Sequence, residues 1–216
     1  MRITRFVTTA IASAVMLCAA SAQAAITTYT SQSAYLAAVG TTGVDSFDDL
    51  DVDEYAGPLD RTAGTYGYTI AAGPENPSLW GATDDGVDFG LTGGNRIDIV
   101  SFSSKTPVAG AGGFFYGSDL FGGYTDADYL ILTATDSTGA SIEYRLSTPD
   151  KGSFVGFVSD HDLVSMTMTA EDQRGVWATV NDLHLSVAAV PEPSTYGMLL
   201  GGLGLMGYLA RRKRNQ

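Results

Sequence analysis

The sequence is poor in cysteine, histidine and basic residues. Its 216 residues contain one cysteine, two histidines, and 12 lysines and arginines against 24 aspartates and glutamates. The single cysteine, Cys18, lies in the N-terminal apolar segment, so the remainder of the chain forms no disulfide. No Gly-x-Ser-x-Gly nucleophile elbow and no His-Glu-x-x-His zinc motif occurs. The sequence therefore favours a non-catalytic protein, and we expect no enzyme activity.

The small number of basic residues also limits the kinds of molecule that the protein can bind. Two arginines lie within the first five residues, and four basic residues lie near the C-terminus. The intervening residues 25–189 hold six basic residues against 23 acidic ones, a formal charge of −17. Proteins that bind nucleic acid need clustered lysine and arginine to contact phosphates. We therefore expect no nucleic-acid partner, whereas such a surface suits solubility and association with divalent cations.

Long hydrophobic runs are confined to the two ends of the chain. At the N-terminus, Arg2 and Arg5 precede an apolar run from about Phe6 to Ala20, which closes with Ala22-Gln23-Ala24. A basic start, an apolar centre and small residues before the cleavage point are typical of a secretory signal peptide. The sequence predicts that residues 1–24 are removed by signal peptidase and that the protein is exported.

The C-terminal run is shorter than an ideal membrane span. Tyr196 to Ala210 is 15 residues without a charge, and a helix of that length spans roughly 22 Å of a roughly 30 Å hydrocarbon core. The four basic residues that follow should stay on the cytoplasmic side; they are Arg211, Arg212, Lys213 and Arg214. We predict a single C-terminal transmembrane helix that anchors the exported chain.

Two prolines precede this run. Pro191 and Pro193 lack N–H groups and push Val190 and Glu192 into extended geometry. An extended stretch without backbone hydrogen bonds can be recognised by a membrane-embedded processing enzyme. It can equally serve as a stiff spacer between domain and anchor, and the physics of the stretch alone does not separate the two interpretations.

The order of these tail elements resembles a known sorting signal. Val-Pro-Glu-Pro-Ser-Thr, a short apolar segment and Arg-Arg-Lys-Arg near the C-terminus are similar to the PEP-CTERM signal of exopolysaccharide-producing Gram-negative bacteria. The resemblance covers residues 190–214 and implies an inner-membrane-anchored precursor, recognition by an exosortase, removal of the helix and basic tail, and delivery to the cell surface or extracellular matrix. It maps the recognition motif onto Pro191, Glu192, Pro193, Ser194 and Thr195.

The central residues 25–189 have the pattern of a β protein. Short segments rich in β-branched and aromatic residues alternate with Gly, Asp, Ser or Pro, and they include 65–72, 96–102, 112–117, 128–135, 141–147, 153–159, 163–170 and 176–187. Residues 128–146 predict a hairpin that turns at Asp136–Gly139. One short N-terminal helix is expected, with a cap at Ser31 or Ser33 and an end at Gly40. We predict one all-β domain, an antiparallel, jelly-roll-like β-sandwich.

Individual side-chain positions on the predicted strands follow from alternation. In residues 163–170, Val164, Met166 and Met168 should share one face of their strand. His184 alternates with Leu183 and Leu185, so it should point to solvent.

Acidic clusters on predicted loops suggest a structural calcium site. Ca²⁺ takes six to eight oxygen ligands, and Asp84, Asp85 and Asp88 surround Gly86, which permits a tight turn. The alternative is an acidic loop that is simply solvated.

Aromatic residues set among glycines suggest a surface for carbohydrate. Exposed aromatic faces can stack on sugar rings, and the best placed are Trp80, Phe121 and Tyr124. The alternative is that these side chains fill the core, as we expect for at least one face of Phe114–Tyr116. The expected function is a non-catalytic, exopolysaccharide-associated binding or structural protein. The rival function is an exported polysaccharide-degrading hydrolase.

Overall fold

The fold was analysed in a computed structural model that describes residues 26–84 and 86–189, together with Gly202, Leu203, Met206 and Arg211 of the tail. Among these residues, no helix is both long and apolar enough to cross a membrane. Several predicted features lie outside the described residues: the signal peptide 1–24, Asp85, the motif Pro191–Thr195, most of the predicted transmembrane helix, and Arg212, Lys213 and Arg214.

The described chain forms fifteen strands and one helix. The helix, α1, is Gln32–Ala38. The strands are β1 Ile26–Tyr29, β2 Val39–Asp45, β3 Glu54–Tyr55, β4 Leu59–Ala63, β5 Tyr66–Gly73, β6 Leu79–Ala82, β7 Gly90–Gly93, β8 Ile99–Ser104, β9 Gly110–Ser118, β10 Tyr124–Thr125, β11 Tyr129–Asp136, β12 Ser141–Ser147, β13 Phe154–Ser159, β14 Leu163–Thr169 and β15 Trp177–Ala188.

These strands form two antiparallel sheets. Sheet A has nine strands in the order β1-β13-β9-β15-β7-β6-β3, with β10 paired to β9 and β2 to β15. Sheet B has six strands in the order β12-β11-β14-β8-β5-β4. The prediction of an antiparallel all-β sandwich with one short helix is confirmed. Four hairpins, β4–β5, β6–β7, β9–β10 and β11–β12, join neighbours within one sheet, so the strand order supports a general sandwich and not a jelly roll in particular.

The core lies between the two sheets and follows the expected alternation. In β11 every second residue is buried, including Leu130, Leu132 and Ala134. These side chains share one hydrophobic cluster with Phe115 of β9 and Val180 of β15. Side chains alternate between the two faces of a strand, so one apolar face of each strand packs against the other sheet.

The predicted hairpin between β11 and β12 is present. Asp136 Oδ1 accepts hydrogen bonds from the Thr138 N–H at 2.9 Å and the Thr138 hydroxyl at 2.6 Å. Gly139 has φ +84°, the left-handed geometry that glycine tolerates best. The side-chain hydrogen bonds hold the pKa of Asp136 below its ordinary value, with the Thr138 hydroxyl as the main cause.

An ion pair that the sequence did not indicate joins the two sheets. Arg61 of β4 binds both carboxylate oxygens of Asp45 at the end of β2, with Nε–Oδ2 at 2.7 Å and Nη2–Oδ1 at 2.6 Å. Tyr68 of β5 donates its hydroxyl to Asp45 Oδ2 at 2.6 Å, and burial raises the pKa of Tyr68 well above its ordinary range. Asp45 is 5% exposed. Loss of Arg61 would leave the buried carboxylate of Asp45 without a cationic partner, which typically costs about 3–5 kcal/mol.

Helix α1 covers one end of the outer face of sheet A. It begins after the cap Ser31, whose hydroxyl accepts from the Ala34 N–H, as predicted. Its end is not at Gly40, because the chain enters β2 at Val39 and pairs there with Ala188 of β15. The helix buries Tyr35 against Phe154 of β13.

Two predicted side-chain positions are wrong, for different reasons. His184 points away from the core residues Leu183 and Leu185, as alternation predicts, but it is 2% exposed because Gln32 of α1 covers the outer face there. Val164 is 42% exposed while Met166 and Met168 are buried, because the pairing of β14 with β11 shifts beside it.

Candidate ligand-binding groove

A groove of about 440 Å³ opens on the outer face of sheet A, at the end that α1 leaves uncovered. Its floor comes from β6, β7 and the start of β15. Trp80 of β6 lies opposite Thr92 of β7, and Thr92 lies opposite Thr179 of β15. Trp177 precedes Thr179 by two residues and therefore faces the same side. Two strand spacings and one two-residue step separate the Cα atoms of the two tryptophans by roughly 12 Å.

A tight loop after β9 forms one wall of the groove. Asp119 Oδ1 accepts from the N–H groups of Phe121 at 2.8 Å and Gly123 at 3.0 Å. The Asp119 N–H donates to the carbonyl of Gly123 at 2.8 Å, and Gly122 has φ +84°. These bonds fix the backbone, so Phe121 is held outward with 80% of its surface exposed, beside Leu120 at 71%.

Polar groups also line the groove. Glu54 and Asn76 are among the lining residues, together with Val52 and glycines 81, 93 and 94. The Glu54 carboxylate accepts a hydrogen bond from the Ser78 hydroxyl. Neither lysine nor arginine is among the lining residues, whereas the carboxylates of Glu54 and Asp119 are. The groove therefore combines three aromatic side chains with amide, hydroxyl and carboxylate groups and has no basic side chain.

The structure brings together two of the three aromatic residues singled out for sugar stacking. Trp80, which is 37% exposed, and Phe121 line the same groove. Tyr124 is not among the lining residues. Its ring packs against Tyr116 at 6.2 Å, and its hydroxyl donates to Asp126 at 3.0 Å. Partial desolvation, followed by this hydrogen bond, raises the pKa of Tyr124.

The groove also includes a tryptophan that the sequence analysis did not single out. Trp177 is half-buried and lines the groove. Its position follows from alternation, because it shares a face with Thr179 and not with the core residues Ala178 and Val180. The sequence signal for the wall was the run Asp119-Leu-Phe-Gly-Gly, where an aspartate precedes two glycines in a turn pattern.

The acidic loop proposed to bind calcium is already engaged in contacts. Asp84 accepts from the Lys151 ammonium at 3.0 Å and from the Tyr124 N–H. Asp88 accepts from the Asn181 amide at 2.6 Å. Within the described residues no group of three or more metal-ligating side chains converges, and Asp85 lies outside them. The calcium site at Asp84, Asp85 and Asp88 stays a prediction.

Comparison with known proteins adds information about one region of the chain. No curated protein matches the sequence. A solved structure titled "Crystal Structure of FeII HppE" is 14% identical and has a TM-score of 0.21, which is too low to carry an argument about fold or function. The match covers 63% of this chain, and the chain spans only 63% of the length of that structure's chain.

The C-terminal tail gives a specific match. The family model described as the PEP-CTERM protein-sorting motif matches residues 189–214, which confirms the resemblance found at 190–214. The motif indicates an exported protein that is sorted by an exosortase, anchored in the membrane and then processed. The tail of this chain is therefore a PEP-CTERM protein-sorting motif.

Proposed function

We propose that the exported β-sandwich is a non-catalytic binding protein that retains exopolysaccharide in the groove of sheet A. The observation that carries this proposal is the presence of Trp80, Trp177 and Phe121 in one open groove. Aromatic side chains offer apolar faces on which sugar rings stack. The separation of the two tryptophans suits an extended chain better than a compact small molecule.

The charges around the groove narrow the class of polysaccharide. Glu54 and Asp119 line it without a basic residue, and residues 25–189 carry a formal charge of −17. This field repels a polymer rich in uronate groups, since like charges oppose association. The ligand is a neutral or amino-bearing polysaccharide.

Retention by such a groove depends on many copies. Stacking contacts are individually weak, so a single groove should bind with Kd between roughly millimolar and micromolar, about 4 to 8 kcal/mol. Repeating polymer and many surface copies raise the effective affinity without new contacts. Weak single-site binding is therefore compatible with firm attachment at a surface.

We propose that this activity operates at the surface or in the extracellular matrix of a Gram-negative bacterium, and the sorting tail supports this location. In this account the inner membrane holds the precursor until an exosortase recognises Pro191, Glu192 and Pro193 and releases the domain. Intact mass spectrometry of surface-released protein tests the processing step. We expect residues 1–24 and the C-terminal run to be absent, whereas Tyr196–Gln216 still attached in most molecules would rule out cleavage.

Affinity electrophoresis of residues 25–189 tests the binding step. Gels containing the producer's own exopolysaccharide, dextran, chitosan oligosaccharide or alginate should retard the domain in all cases except alginate. A reducing-end assay run beside it separates the two functions, because a hydrolase releases reducing sugar and a binding protein does not. Equal retardation by alginate would contradict the charge argument, and release of sugar would favour the hydrolase.

A further inference from the structure

The terminal strands of the two sheets in the described residues differ in how well they are protected. In sheet A, the edge strands β1, β3 and β10 are four, two and two residues long, and β2 pairs with β15 through a register shift. In sheet B, β4 is covered by β2, since the Tyr66 hydroxyl next to β4 reaches the carbonyl of Thr41 at 3.1 Å and Arg61 binds Asp45. Short or covered edges are the usual protection against pairing with another chain.

The other edge of sheet B is long and regular. β12 pairs with β11 over seven consecutive residues without a register shift, from Ser141 to Ser147. It contains neither proline nor glycine. No strand of the described chain pairs with its other side. β12 is therefore the one edge in this part of the molecule that is long, regular and unpaired along its outer side, although β1 of sheet A comes close to it.

The hairpin determines which backbone groups face outward. The Asp136 N–H donates to the carbonyl of Ala140 at 2.9 Å, so 136 and 140 form a hydrogen-bonded pair. Hydrogen-bonded and non-bonded pairs alternate in an antiparallel ladder. Residues 142, 144 and 146 consequently direct their N–H and C=O groups to β11. Residues 141, 143, 145 and 147 direct theirs to the free edge.

The side chains along this edge are self-complementary. Glu143 and Arg145 are both exposed and lie on the same face of β12. The Arg145 guanidinium carbon lies 3.3 Å from the centre of the Tyr129 ring, which holds the side chain against the sheet. Two β12 strands that run antiparallel about Tyr144 place Glu143 of each copy opposite Arg145 of the other. Opposite charges directly across a ladder stabilise it.

The alternatives to this register are unfavourable. Only odd-numbered residues of β12 have outward-facing backbone groups, so in any register an odd-numbered residue of one copy pairs with an odd-numbered residue of the other. Sliding one strand to the next such register in one direction places Glu143 opposite Glu143 of the other copy. Sliding it in the other direction places Arg145 opposite Arg145 of the other copy. Like charges directly opposite one another destabilise a ladder. Charge thus selects the register centred on Tyr144.

We propose that β12 pairs antiparallel with β12 of a second copy of this chain, centred on Tyr144, and so joins two six-stranded sheets B into one twelve-stranded sheet. The pairing is a two-fold symmetric contact in which each copy supplies the same residues. It lies on sheet B, whereas the groove lies on the outer face of sheet A, so both grooves of the dimer stay open. The proposal does not depend on which ligand the groove binds.

Disulfide trapping in the full-length chain tests both the pairing and its register. The proposed register places Ser141 opposite Ser147 of the other copy, at the roughly 5.5 Å Cα separation of a hydrogen-bonded pair. Chains carrying Ser141→Cys and Ser147→Cys, each with Cys18→Ala, are purified in mild detergent, mixed and oxidised. We expect at least about tenfold more linked dimer in the mixture than in either chain alone, because 141 and its symmetry mate lie roughly 20 Å apart along the strands.

Charge reversal provides the second arm. Glu143→Arg puts two like-charge pairs into the interface and should reduce the linked dimer about tenfold or more. Glu143→Arg with Arg145→Glu restores the complementary pairs and should restore the dimer. Asp160→Arg makes the same charge change at an exposed site away from β12 and should have no effect. Thermal melts verify that each variant is folded.

Three results overturn the proposal. One is an equal yield of linked dimer in the mixture and in the single chains while maleimide labelling shows reactive thiols. Another is preferential linkage of 141 to 141 or of 147 to 147. The third is failure of the double charge reversal to restore the dimer although the variant is folded.

Discussion

The two ends of the outer face of sheet A carry similar side chains in opposite environments. At one end, α1 covers Phe154 and His184 and inserts Tyr35, which is fully buried. At the other end, Trp80, Trp177 and Phe121 line an open groove. A single strand, β15, runs through both ends, with Trp177 at its start and His184 near its end.

The two ends differ in whether another element covers the sheet, and not in the type of residue. Aromatic side chains under α1 pack in the interior, whereas those at the uncovered end are available to a ligand. Glycines 110 and 156 make room for the Tyr35 ring, because a Cβ at Gly156 would lie 2.4 Å from its Cδ2 atom. The Tyr35 hydroxyl bonds to the Ser186 hydroxyl at 2.9 Å. At the open end, a hydrogen-bonded loop holds Phe121 in solvent instead. We expect the covered end to govern stability and the open end to govern binding.

Tyr35→Ala should have the largest effect on stability. Removing a fully buried ring leaves a cavity, and we expect a loss of about 3–5 kcal/mol in the free energy of unfolding. Leu36→Ala on the same helix is the matched control, since Leu36 is 41% exposed and should cost less than about 1 kcal/mol. Urea unfolding of residues 25–189 measures both. Similar losses for the two variants would show that α1 does not bury Tyr35 as described.

Gly156→Ala should destabilise the same end by a smaller amount. The added methyl group would collide with the Tyr35 ring, and overpacking of this kind typically costs about 1–3 kcal/mol. Gly152→Ala is the control, because its Cβ would meet no atom closer than 3.5 Å. Equal midpoints for both variants in the same urea titration would contradict the close packing of α1 on β13.

Acid should weaken the covered end through His184. Its Nδ1 lies 2.5 Å from the Asp182 carbonyl oxygen, which can only accept, and its Nε2 lies 3.0 Å from Gln32 Nε2, which can only donate. The ring is therefore neutral with the proton on Nδ1. Burial lowers the pKa of His184 below its ordinary value of 6.5, partly offset by the Asp182 hydrogen bond.

The sign of the pH effect follows from that lowered pKa. As pH falls through 6.5 the unfolded chain takes up the proton before the folded one does, so stability falls with pH in the window below 6.5. The slope from this group is at most about 1.4 kcal/mol per pH unit. Other groups also titrate in acid, so the measurement is the difference between the parent and His184→Asn. An unchanged slope in His184→Asn would contradict the buried neutral ring.

Features formed by consecutive residues were predictable from the sequence, and features formed by distant strands were not. The tail motif at 189–214 and the turn at Asp136–Gly139 depend on local order, and each of the eight segments predicted as strands overlaps a strand. Val164 was misplaced because a register shift reverses the face of a side chain. His184 was misplaced because α1 covers the outer face of β15, and alternation reveals neither cause. The ion pair of Arg61 with Asp45 needs the packing of two sheets.

Trp80 and Phe121 were singled out correctly as candidates, but their convergence with Trp177 depends on the pairing order β15-β7-β6.

The most direct test of the account is the affinity of Phe121→Ala for the producer's exopolysaccharide. Phe121 is 80% exposed and its N–H bond to Asp119 is kept by alanine, so the free energy of unfolding should change by less than about 0.5 kcal/mol. The Kd for the polysaccharide should nevertheless rise about tenfold or more, as expected for loss of an aromatic contact in a binding site. Val164→Ala, an exposed apolar residue on sheet B, should bind as the parent does. Unchanged affinity in a folded Phe121→Ala domain would contradict the assignment of the groove as the binding site.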